Sequence, residues 1–120
     1  MDYINCHGTA TEAGDLAEAR AIKTVFGKYA RRLACSSTKP VTGHLMAAAG
    51  AVETIVTALS VFHQIIPPTA NLQVPDPEFD LDFVPHVARP YPIRLALNLS
   101  SGFGGKNSCL ALRRWPSREP

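Results

Sequence analysis

The sequence predicts a mixed α/β domain with a partly parallel sheet and one very buried helix. Segments with strand and helix patterns follow one another in the order strand, helix, strand, helix, strand, strand. The chain has 120 residues, of which 46% are hydrophobic and 18% charged, a balance typical of one globular core. Residues 43–64 are apolar almost all round, which indicates a central helix that is covered on most sides.

The first three elements follow from local patterns. Residues 2–6 carry strand-favouring side chains and run into a His-Gly turn, which predicts a short strand. Asp15 with Glu18 three residues later resembles a capping box, so we predict an amphipathic helix over 15–27 and interpret both carboxylates as a helix cap only. Residues 32–37 predict a second strand that opens into a polar loop.

The second half of the chain predicts a loop and a strand pair. Two prolines end the central helix, and residues 67–92 contain seven prolines, too many for a helix interior or a central strand. We therefore predict a long ordered surface loop. Residues 94–100 and 107–113 predict a hairpin-like pair of strands across the glycine-rich bend at 102–105. So small a sheet should not bury the central helix alone, and we expect more protein against it.

Charge and hydropathy exclude two classes of partner. The 12 Lys and Arg and the 10 Asp and Glu give a net charge of +2, and only Arg113, Arg114 and Arg118 cluster, so we expect no nucleic-acid partner. Residues 45–62 are apolar, but Glu53 in mid-span costs roughly 2.5–3.5 kcal/mol on insertion scales, so we predict a core helix and no membrane span.

The cysteine pattern favours a reducing compartment and no metal. Cys6, Cys35 and Cys109 are an odd number without CxxC spacing, which argues against a disulfide framework, and we interpret them as small buried hydrophobes. A zinc site built from two of them with His7 and His44 lacks any close ligand spacing, so no metal site is predicted. The N-terminus shows no signal-peptide pattern, so we expect the cytoplasm.

Three features at predicted strand ends carry candidate chemistry. They are His7, the pair Lys39 and His44, and the backbone amides of the bend at 102–105. Imidazoles, a lysine and exposed amides could together polarise a carbonyl oxygen on which negative charge develops. The alternative is that each histidine taken singly has a structural role at a turn or a helix start.

The sequence resembles the C-terminal part of the β-ketoacyl-acyl-carrier-protein synthases, condensing enzymes with the thiolase fold. Four blocks in family order carry the resemblance: Ile-Asn-Cys-His-Gly-Thr-Ala-Thr at 4–11, Ser-Thr-Lys at 37–39 with Thr-Gly-His-Leu at 42–45, Pro-Pro-Thr at 67–69, and Gly-Phe-Gly-Gly at 102–105. The blocks cover residues 2–112. Ala-Gly-Ala-Val-Glu at 49–53 looks more like the dissociated fatty-acid enzymes than modular polyketide synthases.

The resemblance implies a role for each matching residue. His7 and His44 would bind the thioester carbonyl of a malonyl unit, promote loss of carbon dioxide and stabilise the enolate. Lys39 would support this charge network, with Glu53 close behind it. The backbone N–H of Phe103 would belong to an oxyanion hole, and its ring would gate the acyl pocket.

The resemblance also implies partners. Thr9 and Thr11 would contact the phosphopantetheine arm of acyl- or malonyl-loaded acyl carrier protein, and Gly104 would join them in binding substrate. Because the carrier protein brings that arm, no cofactor of the chain's own is expected. Family members are homodimers.

The chain also departs from the family pattern. The family's nucleophilic cysteine lies in the N-terminal half of the fold, and no cysteine here matches it. We therefore expect an incomplete C-terminal half of a thiolase-like layered fold, with a partial domain at 2–113 and a tail at 114–120. The missing half is the expected partner, and the chain alone is expected to be inactive. Ser101 and Lys106 replace residues common in the family, which leaves the acyl-chain preference open.

Three interpretations follow. The first is the C-terminal part of a 3-oxoacyl-acyl-carrier-protein synthase of fatty-acid elongation. The second is a non-catalytic partner or regulatory module, or a truncated product, motivated by the missing nucleophile. The third is a fragment of a polyketide-type ketosynthase.

Overall fold

A four-stranded mixed sheet organises residues 1–115, the part of the chain that the computed structural model describes. Residues 116–120, most of the predicted tail, lie outside the described residues. Along the chain the strands and helices are β1 (Tyr3–Asn5), α1 (Glu12–Phe26), β2 (Ala34–Ser36), α2 (Lys39–Thr42), α3 (Ala49–His63), β3 (Ile65–Ile66), β4 (Arg89–Pro90), β5 (Leu95–Gly102) and β6 (Lys106–Arg113).

The sheet has the strand order β2-β1-β5-β6. β1 runs parallel to both β2 and β5, and β6 pairs with β5 in the antiparallel direction. A separate pair joins β3 to β4. The predicted mixed sheet and terminal hairpin are therefore confirmed.

Alternation along β1 separates two hydrophobic cores. Tyr3 packs on one face with Ala34 and Ala96, whereas Ile4 packs on the other face with Cys35. Because strand side chains point to opposite faces in turn, Asn5 lies on the Tyr3 face, where it contacts α3.

The predicted start of α1 is wrong. The helix begins at Glu12 after Thr11, and no side chain caps it. Glu18 does not cap the helix because both of its oxygens accept hydrogen bonds from the turn after β1. Asp15 is in the first turn of the helix; burial raises the pKa of its carboxyl group, and the nearby backbone N–H groups of Thr9 and Ala10 oppose that rise.

The central helix begins at Ala49, later than the predicted residue 43. Residues 39–42 form the separate short α2, and Gly43, with φ of 73°, ends it. A 3₁₀ turn at Met46–Ala48 precedes α3. The helix ends at His63, before the prolines, because Gln64 takes the left-handed conformation with φ of 58°.

The prediction that α3 is covered on most sides is wrong for the described residues. Its buried side chains are Ala49, Glu53, Thr57, Ser60 and Val61, and the opposite face exposes apolar side chains, with Phe62 at 75% exposure. By length and composition residues 46–63 could cross a membrane. In the structure the polar face of this segment lies against the sheet.

The cysteines divide into two groups. Cys6 and Cys35 are buried free thiols, as predicted. Cys109 is exposed, which contradicts the prediction, because β6 has no strand on its outer side within residues 1–115.

Candidate active site

The imidazoles of His7 and His44 meet at the end of β1. Their ring centroids lie 5.4 Å apart, and the planes make an angle of 84°. His7 directly follows β1 and Cys6, and His44 follows the glycine that ends α2. His7 is half-buried and His44 is exposed, so the pair opens towards solvent.

Two neighbouring side chains fix the backbone at His7 and Gly8 through three hydrogen bonds. The N–H groups of His7 and Gly8 donate to the two carboxylate oxygens of Glu18 at 2.7 and 3.0 Å. The Ser37 hydroxyl donates to the Gly8 carbonyl oxygen at 2.9 Å. Burial raises the pKa of Glu18, although the two backbone hydrogen bonds oppose that rise.

Hydrogen bonding sets the tautomer of His44. The Met46 N–H donates to His44 Nδ1 at 3.2 Å. A nitrogen that accepts a hydrogen bond carries no proton, so the neutral ring of His44 has its proton on Nε2. His44 therefore presents an N–H donor.

His7 is held in its neutral form. Burial is the largest cause that lowers its pKa, followed by the positive charge of Lys39 and by His44. Within the described residues, His7 Nδ1 is buried without a hydrogen-bond partner. An imidazole that stays neutral at neutral pH can donate one N–H without bringing a full positive charge to the site.

An ion pair lies behind the imidazoles. Lys39 Nζ donates to Glu53 Oε1, and the two side chains are 5% and 2% exposed. Lys39 is the first residue of α2, and Glu53 lies in the second turn of α3. The pair therefore ties the short helix that precedes His44 to the helix that packs on the sheet.

The predicted substrate-binding residues occupy two places. Thr9 and Thr11 lie just after His7, with their hydroxyl oxygens 3.0 Å apart. Phe103 is 96% exposed and Gly104 has φ of 73°, both in the bend of the β5–β6 hairpin. The structure thus places Thr9 and Thr11 in the segment that follows His7, and Phe103 and Gly104 in the exposed bend of the hairpin.

Two cavities adjoin the imidazoles. One of about 470 Å³ is lined by Lys39 and His44, and another of about 760 Å³ by His7 together with Ser101 and Asn107 of the hairpin. Both are also lined by Gly8, Thr9, Asp15 and Glu18. The turn after β1 therefore separates two spaces that a substrate could enter. Residues 1–115 contain no group of three His, Cys, Asp or Glu side chains placed to hold a metal ion.

Sequence reasoning missed four residues that build the site. Glu18 and Ser37 hold the turn that carries His7, and Asn5 and Asn98 bind α3. An asparagine in the middle of an otherwise apolar strand is a signal that could have been followed, since a buried amide needs partners. Nothing local marks Glu18, because its partners lie 10 and 11 residues away.

Comparison with known proteins places this arrangement in a family. The profile of the β-ketoacyl synthase C-terminal domain matches residues 1–73. The chain belongs to the β-ketoacyl synthase family. It is 53% identical over 114 residues to 3-oxoacyl-[acyl-carrier-protein] synthase 2 of Coxiella burnetii, and 46% identical over 115 residues to the protein of that name from Synechocystis.

These matches cover 95% and 96% of the chain, but the chain spans only 28% of either relative. Among solved structures, a β-ketoacyl synthase from Burkholderia phymatum is 35% identical with a TM-score of 0.90, over 97% of the chain and 28% of that protein. A type II polyketide ketosynthase, solved in complex with its acyl carrier protein, is 44% identical with a TM-score of 0.90, over 93% and 28%. The predicted thiolase-like fold, present as a part of a longer synthase fold, is confirmed.

Proposed function

We propose that the chain supplies the decarboxylation site of a 3-oxoacyl-[acyl-carrier-protein] synthase. In this reaction an acyl thioester condenses with malonyl-acyl carrier protein to lengthen a fatty acid. The observation that carries the proposal is the pair of imidazoles 5.4 Å apart, one fixed as an Nε2–H donor and the other held neutral. Preorganised donors of this kind stabilise an oxygen on which negative charge develops.

The proposed chemistry uses the two histidines together. Their N–H groups donate to the thioester carbonyl oxygen of the malonyl unit. The bond to the carboxylate carbon breaks, carbon dioxide leaves, and the electron pair passes into the enolate whose oxygen the imidazoles hold. The enolate carbon then attacks the acyl thioester carbonyl, and the cysteine thiolate that carried the acyl group leaves.

Other residues support this step. The ammonium of Lys39, held by Glu53, lowers the pKa of His7 and keeps that ring neutral. Thr9 and Thr11 lie beside His7, where they would contact the phosphopantetheine arm of the carrier protein. The Phe103 N–H and Gly104 would bind the acyl group, and the ring of Phe103 would gate its pocket.

The proposal requires partners. The acyl-carrying cysteine is supplied by the remainder of the synthase, so the chain alone is inactive and works in a homodimeric enzyme. The carrier protein brings the arm, and the chain needs no cofactor of its own. The buried free thiols of Cys6 and Cys35 suit a reducing compartment such as the cytoplasm.

A chimera tests the function. This chain replaces the matching segment of the Coxiella burnetii relative, and carbon dioxide release and condensation are measured with malonyl-acyl carrier protein. We expect activity in the chimera and a loss of about 100-fold or more in His7→Ala and in His44→Ala, the scale of removing one oxyanion donor. The exposed loop residue His86 gives the control His86→Ala. A folded chimera without activity, or activity retained in both site variants, contradicts the proposal.

The likeness to a type II polyketide ketosynthase supports a second candidate, the same condensation on a growing polyketide. The chimera separates the two when it is offered saturated acyl groups and polyketide intermediates side by side. Extension of the polyketide intermediates alone would favour the second candidate.

A further inference from the structure

We propose that Asn5 and Asn98 form a paired positioning device that fixes α3 on the sheet and so aims Glu53 at Lys39. Its catalytic consequence rests on the proposed function. The two asparagines are register partners on the neighbouring parallel strands β1 and β5. Their exposures are 0% and 2%.

Each asparagine binds α3 in the same way. Asn5 Nδ2 donates to the Glu53 carbonyl oxygen and to Thr57 Oγ1, both at 3.1 Å. Asn98 Nδ2 donates to the Gly50 carbonyl oxygen at 3.2 Å and to Thr54 Oγ1 at 2.9 Å.

The threonines complete two equivalent triangles. Each threonine hydroxyl donates at 2.7 Å to the helix carbonyl four residues earlier, the same carbonyl that the asparagine binds. Amide, hydroxyl and carbonyl thus close a triangle at each strand. The two triangles differ only by a shift of three residues along the helix.

That three-residue shift keeps both triangles on one face of the helix. Residues three and four apart are neighbours on the surface of an α-helix, so Gly50, Glu53, Thr54 and Thr57 can all face the two asparagines. A helix displaced by one residue would present the wrong side chains to both amides at once. The two asparagines therefore specify the axial position as well as the rotation of α3.

Hydrophobic packing alone does not set this rotation. The face of α3 against the sheet buries polar Glu53, Thr57 and Ser60 together with Ala49 and Val61, whereas the larger apolar side chains of Leu59 and Phe62 are exposed on the other face. Burial of apolar surface in this chain would turn the helix the other way. Hydrogen bonds to buried amides, which are costly to leave unmade, hold it in place.

The device connects directly to the candidate active site. Asn5 binds the backbone of Glu53 itself and is the last residue of β1, two residues before His7. Gly50 permits the close approach of the helix, because a Cβ there would lie 3.2 Å from Ser100 Oγ. The positions of His7 and Glu53 are thus set by one strand.

Chemical labelling of lysines tests the device. The rate at which acetic anhydride modifies Lys39 is measured by mass spectrometry relative to Lys28, which is exposed. In the wild-type protein Lys39 should be acetylated slowly, because its ammonium group is buried in the ion pair with Glu53. Asn5→Leu and Asn98→Leu keep the side-chain size and remove the donor. Each should raise the relative rate about three- to tenfold, the scale of one or two lost net hydrogen bonds.

Two controls separate positioning from general loss of stability. Ser60→Ala removes a buried α3 hydroxyl that bonds only within its own helix, to Val56 O, and should leave the ratio unchanged. Thr54→Val removes one acceptor of Asn98 and should raise the ratio, whereas Thr54→Ser keeps the hydroxyl and should restore protection. If the asparagine variants unfold, the comparison of Thr54→Val with Thr54→Ser tests the proposal in their place. Unchanged protection of Lys39 in folded Asn or Thr54→Val variants overturns the proposal.

The labelling result does not depend on turnover. In the active chimera Asn5→Leu and Asn98→Leu should lower kcat and leave KM unchanged, because neither asparagine lines either of the two cavities. If labelling changes as expected but the wild-type chimera is inactive, the positioning device stands and the proposed function fails. If labelling is unchanged in an active chimera, the device fails and the function stands.

Discussion

Lys39 and Glu53 form an ion pair inside the protein, with only 5% and 2% of the two side chains exposed. Removing two charges from water costs several kcal/mol for each ion, and their attraction repays that cost only when both partners are present. The pair is therefore a sensitive point of the fold. It is also the group whose positive charge acts on His7.

Breaking this pair from one side should be costly. Glu53→Leu leaves the ammonium of Lys39 buried without its counter-ion, and Lys39→Met leaves the carboxylate of Glu53 buried without its counter-ion. Each change should lower the free energy of unfolding by about 3–5 kcal/mol in urea titrations. The double variant Lys39→Met/Glu53→Leu buries no charge and should cost less than either single change.

An exposed ion pair supplies the control. Arg20 and Glu78 pair at 2.8 Å with side-chain exposures of 62% and 58%. Because solvent screens such a pair, Arg20→Ala should change the free energy of unfolding by at most about 1 kcal/mol. Additive losses in the Lys39→Met/Glu53→Leu double variant would mean that the two charges do not depend on each other.

The titration of His7 should respond to Lys39. Burial and the charge of Lys39 both lower the pKa of His7. Lys39→Met removes that positive charge, and its removal favours the imidazolium. We therefore expect the pKa of His7 to rise in this variant, followed by NMR titration of its Cε1–H signal. Lys23→Met, which removes a lysine bonded to the Glu78 carbonyl oxygen, is the matched control and should leave the titration as it is.

The same shift has a consequence for stability. The folded-state pKa of His7 lies below the unfolded value of about 6.5, so the unfolded chain binds more protons as the pH falls below that value. The contribution of His7 is therefore complete above about pH 6.5 and is lost as the pH falls through the folded pKa. In urea titrations at a series of pH values, His7→Gln should make the free energy of unfolding depend less steeply on pH below about pH 6.5.

The sequence was informative where local patterns decide the structure. The period-2 pattern and the turns predicted the four strands of the main sheet, but not β3 and β4, which lie outside the predicted strands. The candidate residue His44 meets His7 in the structure. The carboxyl ends of parallel strands lie at the same edge of a sheet, so the residues that follow them come close together. This is why the imidazole pair could be anticipated without the fold.

The rotation of α3 could not be predicted in the same way. Its apolar residues mark a face but do not say what covers that face, and the bonds that orient the helix join Asn5 to Thr57 across 52 positions. The carboxylate of Glu18 was misassigned for a related reason. Its spacing from Asp15 fits a helix cap, whereas its partners are the amides of His7 and Gly8, which approach it only after α1 packs on the sheet.

Gly8 should not tolerate a side chain. Its φ is +42°, and a Cβ there would lie 2.6 Å from Ser37 Cβ and 2.7 Å from Ser37 Oγ. Gly8→Ala should therefore displace the turn that carries His7. The expected signs are loss of activity in the chimera and a lower free energy of unfolding.

Gly27 separates steric clash from backbone strain. Its φ of +53° is similar, but nothing lies within 4 Å of a Cβ there. Gly27→Ala should therefore cost only the backbone strain of a non-glycine residue at φ of 53° and ψ of −133°, about 1–3 kcal/mol, and should leave activity intact. Equal losses in the two variants would show that Ser37 does not confine the turn.

The exposed apolar face of α3 should become protected from solvent in the chimera. Ile55, Leu59 and Phe62 are 60%, 50% and 75% exposed in this chain, which spans 28% of its relatives. If the remainder of the synthase covers them, each buried side chain stabilises α3 by about 1.5–3 kcal/mol. Every 1.4 kcal/mol added to the free energy of local opening slows amide hydrogen exchange about tenfold. Amides of α3 should exchange at least about tenfold more slowly in the chimera than in the chain alone, with β1 as reference.

Phe62→Lys should remove part of that protection in the chimera and none in the isolated chain. Equal protection of α3 in both would mean that this face remains open to water in the complete enzyme.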